Sequence, residues 1–240
     1  MALNGKTILI TGAAVRVGRS LALAAAAAGA DIVLHYRSSE KEAEETAAEI
    51  RDLGVSAHLV QADLSNPTEI HRLMDEALAD TPLYGLVNSA SIFENKELAE
   101  TDLATWQRHM QVNLTAPFLL AQRFAAAAGS AEGRIINLLD WRALRPGADH
   151  FAYTVSKAGL AALTRSLAVA LAPNITVNGL AFGAILPPSD GGNTSKVIQN
   201  VPAGRWAQED EPGRALLFLL DGPTYVTGEV IHLDGGRHLV

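Results

Sequence analysis

Apolar positions along the chain follow two alternating rhythms. Short Val-, Ile- and Leu-rich runs at residues 6–11 (KTILIT), 31–36, 56–61, 84–88, 134–139, 175–180 and 229–233 read as strands. Longer Ala/Leu segments between them carry helical spacing. Residues 15–29 predict a helix that stops at Gly29, and residues 38–53 predict a charged amphipathic helix. Strands that are apolar on both faces and alternate with helices imply a parallel sheet covered on both sides. Right-handed crossovers then predict an α/β fold, a single-domain Rossmann-like doubly wound sheet of about seven strands over residues 1–240. No linker and no internal repeat divides the chain.

One long stretch, residues 182–206, breaks the rhythm with LPPSDGGNTS near its front. It leaves from the carboxyl end of a predicted strand, where open α/β sheets bind ligands, and is expected to form a substrate lid.

Composition narrows the class. Of the 240 residues, 48% are hydrophobic and 19% charged, as in ordinary globular proteins. The net charge of -7 argues against nucleic-acid binding, which needs a basic face. With no cysteine, disulfides and thiolate metal sites are excluded, and the seven histidines lack metal-binding spacing, so no metal is expected. No run approaches the ~20 apolar residues of a membrane span. The N-terminal segment lacks signal-peptide character, so a cytoplasmic protein is expected.

The chemistry begins after the first strand, in TGAAVRVG. A glycine turn between strand and helix aims backbone N–H groups and the helix dipole at a pyrophosphate. Gly12 and Gly18 are six apart, and Arg16 stands where an intermediate glycine is usual. The alternative is a tight structural turn with an exposed arginine. At the tip of the second strand, HYRSS offers Tyr36, Arg37 and Ser38 but no acid to hold a ribose 2′-hydroxyl. Arg37 and Ser38 instead suit a 2′-phosphate, which predicts NADP(H). Asp63 and Leu64 would flank the adenine, although Asp63 could equally cap a helix. Further along, Tyr153 and Lys157 are four apart and share a helical face. A neighbouring ammonium lowers the pKa of a phenol, so the pair can serve as a general acid.

Taken in order, TGAAVRVG, Asp63-Leu64, Asn88-Ser89-Ala90, Asn113 in MQVNLTAPF, YTVSK and LDGG resemble the short-chain dehydrogenase/reductase family over essentially the whole chain. The resemblance implies hydride transfer from a nicotinamide. It makes Tyr153 the proton donor, Lys157 the residue that holds the nicotinamide ribose and tunes the tyrosine, and Asn113 the support of a proton-relay water. It places Gly12, Arg16, Val17, Asp63, Leu64, Asn88, Ala90 and Gly183 along the cofactor. Phe182 departs from the family pattern, which has a proline before Gly183. The resemblance also implies a homotetramer, associating through the helix that carries YTVSK and through the last strand.

Most members of this family have a serine where Asp140 stands, thirteen residues before Tyr153. A carboxylate would repel the oxyanion of a reduced ketone, and it suits a substrate that offers N–H donors and is protonated at a ring nitrogen. Arg16, Asp140, and Ser91 and Phe93 in NSASIF resemble the pteridine reductases, and LDGGRHL resembles the bacterial dihydromonapterin reductases of that group. By this resemblance the pterin stacks on Phe93, with Arg16, Ser91, Asp140 and Tyr153 around its polar edge. The alternatives are a carbonyl reductase such as a 3-oxoacyl-carrier-protein reductase, or an NADP(H)-binding regulator without turnover.

Overall fold

The apolar runs become parallel strands in the computed structural model of the protein, which describes residues 2–187 and 197–240. The strands are β1 (Thr7–Ile10), β2 (Asp31–Tyr36), β3 (Ala57–Gln61), β4 (Leu83–Asn88), β5 (Gly133–Asp140), β6 (Ile175–Phe182) and β7 (Val230–Leu233). The helices are α1 (Arg16–Ala27), α2 (Glu40–Asp52), α3 (Pro67–Ala77), α4 (Leu103–Met110), α5 (Ala116–Ala128), α6 (Phe151–Leu171) and α7 (Glu211–Asp221). One sheet in the order β3-β2-β1-β4-β5-β6-β7 carries helices on both faces, which is the predicted doubly wound fold.

Side chains alternate across the sheet with the period of two that extended backbone imposes. Ile8, Ile10, Ile32 and Leu34 enter one core layer with Leu21 of α1 and Leu216 and Leu220 of α7. Leu9, Val33, Leu86 and Val177 enter the opposite layer with Leu73 and Met74 of α3 and Phe124 of α5. Burying each such side chain is worth about 1.5–3 kcal/mol, so the two layers fix the register of the sheet.

The order of strands reverses between β1 and β4, and the loops that follow these two strands diverge there. Such a switch point opens the crevice in which this class of fold binds ligands. β5 and β6 each run further than the apolar pattern suggests. Asp140 and Phe182 are their last residues, paired in register, so the carboxylate stands at the carboxyl edge of the sheet beside the crevice. Phenylalanine at 182, unlike a proline, lets that pairing continue to the last residue. In the expected lid, Phe182 thus belongs to β6. The amide of Ala207 donates to the carbonyl of Ala184, which ties the two ends together. Residues 188–196 lie outside the described residues.

Candidate active site

Thr11 closes the crevice at its base. Its hydroxyl oxygen accepts the amides of Ser89 (2.9 Å) and Ala90 (3.0 Å), joining the loop after β1 to the loop after β4. Gly12 has φ +64, and a Cβ on it would lie 2.9 Å from the Cα of Ala90. A Cβ on Gly18 would meet the carbonyl oxygen of Gly12 at 2.0 Å, so both glycines are required for the turn to close. Arg16 also sits in the left-handed region, at φ 52. For a residue with a side chain this stores about 1–3 kcal/mol, and it accounts for the glycine that is usual there. The Arg16 guanidinium donates to the carbonyl of Pro187 (3.1 Å), bridging the turn to the segment that follows β6.

His35 holds the turn from below. The amide of Gly12 donates to its Nδ1 (3.0 Å), so the ring proton is on Nε2, which faces the carbonyl of Ala62 at 3.0 Å. Burial keeps the ring neutral and lowers its pKa to about 4.

A cavity of about 510 Å³ runs from this turn along the switch point. Gly12, Arg16 and Val17 line one end, and Tyr36, Arg37, Ser38, Asp63 and Leu64 line its side wall. Ala90, Ser91, Phe93 and Tyr153 close the other end. Asp63 is no helix cap; Asn66 caps α3. Burial alone would raise the Asp63 pKa, but the amide and hydroxyl of Ser65 and the charge of Arg37 outweigh it and hold the group low. Asn88 and Gly183 do not line the cavity. Asn88 is buried and donates to Asn137 Oδ1 (2.8 Å) in the strand beside it. Gly183 packs so tightly that a Cβ would lie 2.7 Å from the Cα of Asp234, in the LDGG turn. A pyrophosphate fits this cradle: the glycine turn and the first amides of α1 face the cavity, with Arg37 and Ser38 further along it.

At the far end, Tyr153 donates its phenolic proton to Asp140 Oδ2 at 3.1 Å. Asp140 Oδ1 accepts the amide of Arg142 (2.8 Å), and the Arg142 guanidinium approaches the same oxygen at 3.7 Å. Burial raises the Tyr153 pKa well above its ordinary value. The charge of Asp140 and the hydrogen bond to it add to this, and Arg142 opposes them. Lys157 lies on the same face of α6, but its ammonium donates to the carbonyl of Leu138 (2.7 Å) and sits 5.8 Å from the centre of the Tyr153 ring. The phenol therefore answers to burial and Asp140 more than to the lysine. Burial lowers the Lys157 pKa to about 8, against the pull of Asp140.

Asn113 lies in a single π-helical turn, Gln111–Thr115, between α4 and α5. Its Oδ1 accepts the amide of Ile92 (2.9 Å) and stands 3.2 Å from the Ser91 hydroxyl. Its Nδ2 donates to the Ile92 carbonyl (3.0 Å) and to Ser156 Oγ (3.0 Å) on α6. The side chain is thus fully engaged, holding the Ile92 backbone and the hydroxyls of Ser91 and Ser156. Phe93 follows Ile92 directly. Its ring meets Tyr153 edge-on (4.6 Å, 80°) and stacks on His150 (3.9 Å, 13°). His150 adopts φ 50 at the start of α6, and its Nδ1 faces the Glu94 carbonyl at 3.0 Å.

No motif in the sequence points to His35, Arg142 or His150. Only His35 carried a visible signal, a lone histidine inside the otherwise apolar run DIVLHY.

Residues 12–238 match the family model described as enoyl-(acyl carrier protein) reductase. The chain is 32% identical to a 3-oxoacyl-[acyl-carrier-protein] reductase of Synechocystis, over 98% of each chain. It is likewise 32% identical to a short-chain type dehydrogenase/reductase of Picea abies, over 98% of this chain and 93% of that one. The chain belongs to the short-chain dehydrogenase/reductase family. Among solved structures of the family, the chain superposes on FolM alternative dihydrofolate reductase 1 from Brucella suis in complex with NADP. That match has a TM-score of 0.94 and 33% identity, covering 99% of this chain and 97% of the other. As a short-chain dehydrogenase/reductase the protein is an NAD(P)-dependent oxidoreductase. Among the described residues no helix is long and apolar enough to cross a membrane.

Proposed function

We propose that this protein is an NADPH-dependent reductase of pterin-type substrates, among them dihydropterins, dihydrofolate and oxidised pterins. The observation that carries the reading is the Tyr153–Asp140 hydrogen bond beside the exposed ring of Phe93. Bound NADPH supplies the hydride. The chain's own residues supply the proton and the geometry. Tyr153, kept protonated by burial and by Asp140, gives its proton to a ring nitrogen while the adjacent carbon is reduced, so that a C=N bond becomes CH–NH. A donor of high pKa suits a strongly basic nitrogen centre. The carboxylate of Asp140 can accept an N–H from the heterocycle, Phe93 offers a stacking face, and Arg16 and Ser91 meet the polar edge. Lys157 binds the cofactor's ribose, and Asn113 keeps the 91–93 segment in place. The NADP complex of the FolM structure supports the same cofactor, as do Arg37 and Ser38 on the cavity wall.

The names of the acyl-carrier-protein reductases among the relatives favour a second reading, reduction of a 3-oxoacyl thioester. Asp140 opposes it, because a carboxylate beside the proton donor disfavours a developing oxyanion. One assay separates the two. NADPH oxidation is followed with dihydrobiopterin, dihydromonapterin, dihydrofolate, acetoacetyl thioester and a ketone panel. Turnover on a pterin or folate and none on the thioester supports the proposal, and the reverse pattern overturns it. The proposal includes a homotetramer, a cytoplasmic location and a lid in the segment that follows β6, residues 183–206.

A further inference from the structure

Behind Asp140 the chain brings two guanidinium groups over one indole and a third arginine beside them. Trp141 follows Asp140 directly, and its ring has the Arg142 guanidinium at 4.6 Å and the Arg237 guanidinium at 5.0 Å. Arg145 joins them, donating to the carbonyl of Arg237 (3.2 Å). Trp141, Arg145 and Arg237 line a cavity of about 400 Å³ with Asn200 and Val240. In a chain of net charge -7 this concentration of positive charge needs a counterpart. Arg142 has one, in its ion pair with Asp149 (3.1 Å) and its approach to Asp140. Arg145 and Arg237 have no acidic partner within 4 Å among the described residues. Two buried N–H groups of the cluster, Nε of Arg142 and Nη1 of Arg237, also find no acceptor there. Burial first, and then the neighbouring Arg142 and Arg145, lower the Arg237 pKa against the pull of Asp149. Unpaired buried donors on guanidinium groups are costly, and a carboxylate or phosphate satisfies them with charge-assisted, often bidentate hydrogen bonds.

We infer that Arg145 and Arg237, with Trp141 as the floor, form a subsite for an anionic arm of the substrate. The inference rests on the proposed pterin reading and deepens it: the heterocycle lies by Phe93 and Tyr153, and the arm passes Asp140 and ends in carboxylates or a phosphate. Arg142 joins the two places, since its guanidinium lies 3.7 Å from the Asp140 carboxylate and over the Trp141 ring.

The test uses the NADPH-loaded enzyme with Arg145→Gln, Arg237→Gln and the double variant. Three substrates are compared: dihydrofolate, which carries a glutamyl tail; phosphorylated dihydroneopterin; and dihydrobiopterin, which carries no anion. The expected result is a KM at least tenfold higher for an anionic substrate, with kcat on it and the KM for dihydrobiopterin little changed. Which anionic substrate responds separates a carboxylate arm from a phosphate arm. An equal rise for all three substrates, or no rise for any, overturns the subsite. A change in oligomeric state by light scattering in place of a KM effect overturns it too, because the cluster is then a subunit contact.

A second readout does not depend on pterin turnover. Titration with glutarate or inorganic phosphate is expected to change tryptophan fluorescence saturably, and Trp141→Phe and the double arginine variant are expected to abolish the change. If no pterin is reduced but this signal is present, the pterin reading fails and the anion site stands. If neither anion gives a saturable signal, or the arginine variants keep it, the site fails.

Discussion

The rings of Phe93 and His150 lie face to face, with centroids 3.9 Å apart and planes 13° from parallel. Phe93 is 55% exposed, so the histidine supplies backing that the loop alone does not. Stacked rings of this kind are worth about 0.5–1.5 kcal/mol beyond the area they bury. His150→Ala is expected to raise the KM for a dihydropterin several-fold and to leave NADPH affinity unchanged, while His150→Phe restores the lower KM. Steady-state kinetics on the three proteins checks this. A fall in kcat with constant KM would show that His150 acts on the chemistry rather than on Phe93.

Asp140→Asn preserves shape and removes charge. It is expected to lower kcat on a dihydropterin by about 10²–10⁴, the range for loss of a positioned acid-base group, with little effect on NADPH binding. Asp140→Ser is expected to lose pterin turnover and gain some ketone turnover. Full pterin turnover by Asp140→Asn would remove the carboxylate from the mechanism.

Arg37→Ala is expected to weaken NADPH binding at least tenfold, since a charge-assisted contact to a phosphate contributes about 1.5–3 kcal/mol. NADH binding should barely move. Equal losses for the two cofactors, measured by fluorescence titration, would make Arg37 a structural residue.

His35 ties stability to pH. Its folded pKa of about 4, set mainly by burial, lies below the 6.5 of an unfolded chain. Between these values the unfolded state takes up a proton that the folded state refuses. The contribution is therefore whole above pH 6.5 and lost as pH falls toward 4, by roughly 3 kcal/mol in full. Urea unfolding at pH 7 and pH 4.5 is expected to show this loss in the wild type and a smaller one in His35→Gln, which keeps an acceptor and a donor. Identical losses in both would assign the pH dependence to other groups.

The outer face of α6 exposes Val155 and Val169, the latter at 82%, and Phe118 is exposed on α5. A tetramer is expected to cover such surface. Light scattering should give about four times the 25.3 kDa of one chain. A monomer at micromolar concentration would defeat the expectation.

Much of this architecture was legible as a string. Strands buried on both faces leave continuous apolar runs, so β1, β2 and β4 to β6 stand out, and strict spacing places Tyr153 and Lys157 on one face of α6. What stayed hidden depends on where a flexible side chain turns. Lys157 reaches the Leu138 carbonyl because burial offers its ammonium few other acceptors. Asn113 spends its amide on the Ile92 backbone because the π-helical turn aims it there. Arg16 was visible as a missing glycine, but its left-handed backbone and its bond to Pro187 are tertiary facts. The arginine cluster joins residues 142, 145 and 237, which only the strand order brings together.

The contact between Gly12 and Ala90 has a consequence for how this enzyme can change. The glycine turn and the segment that carries Ser91 and Phe93 meet at Gly12 and Ala90 with no room for a methyl group between them. Thr11 rivets the two together through the amides of Ser89 and Ala90. A shift of Phe93 that moves this backbone to admit a bulkier substrate must also move the phosphate turn. New specificity is therefore more accessible from the side of Asp140 and His150, whose contacts run to Arg142, Tyr153, Glu94 and Phe93 rather than to the glycine turn.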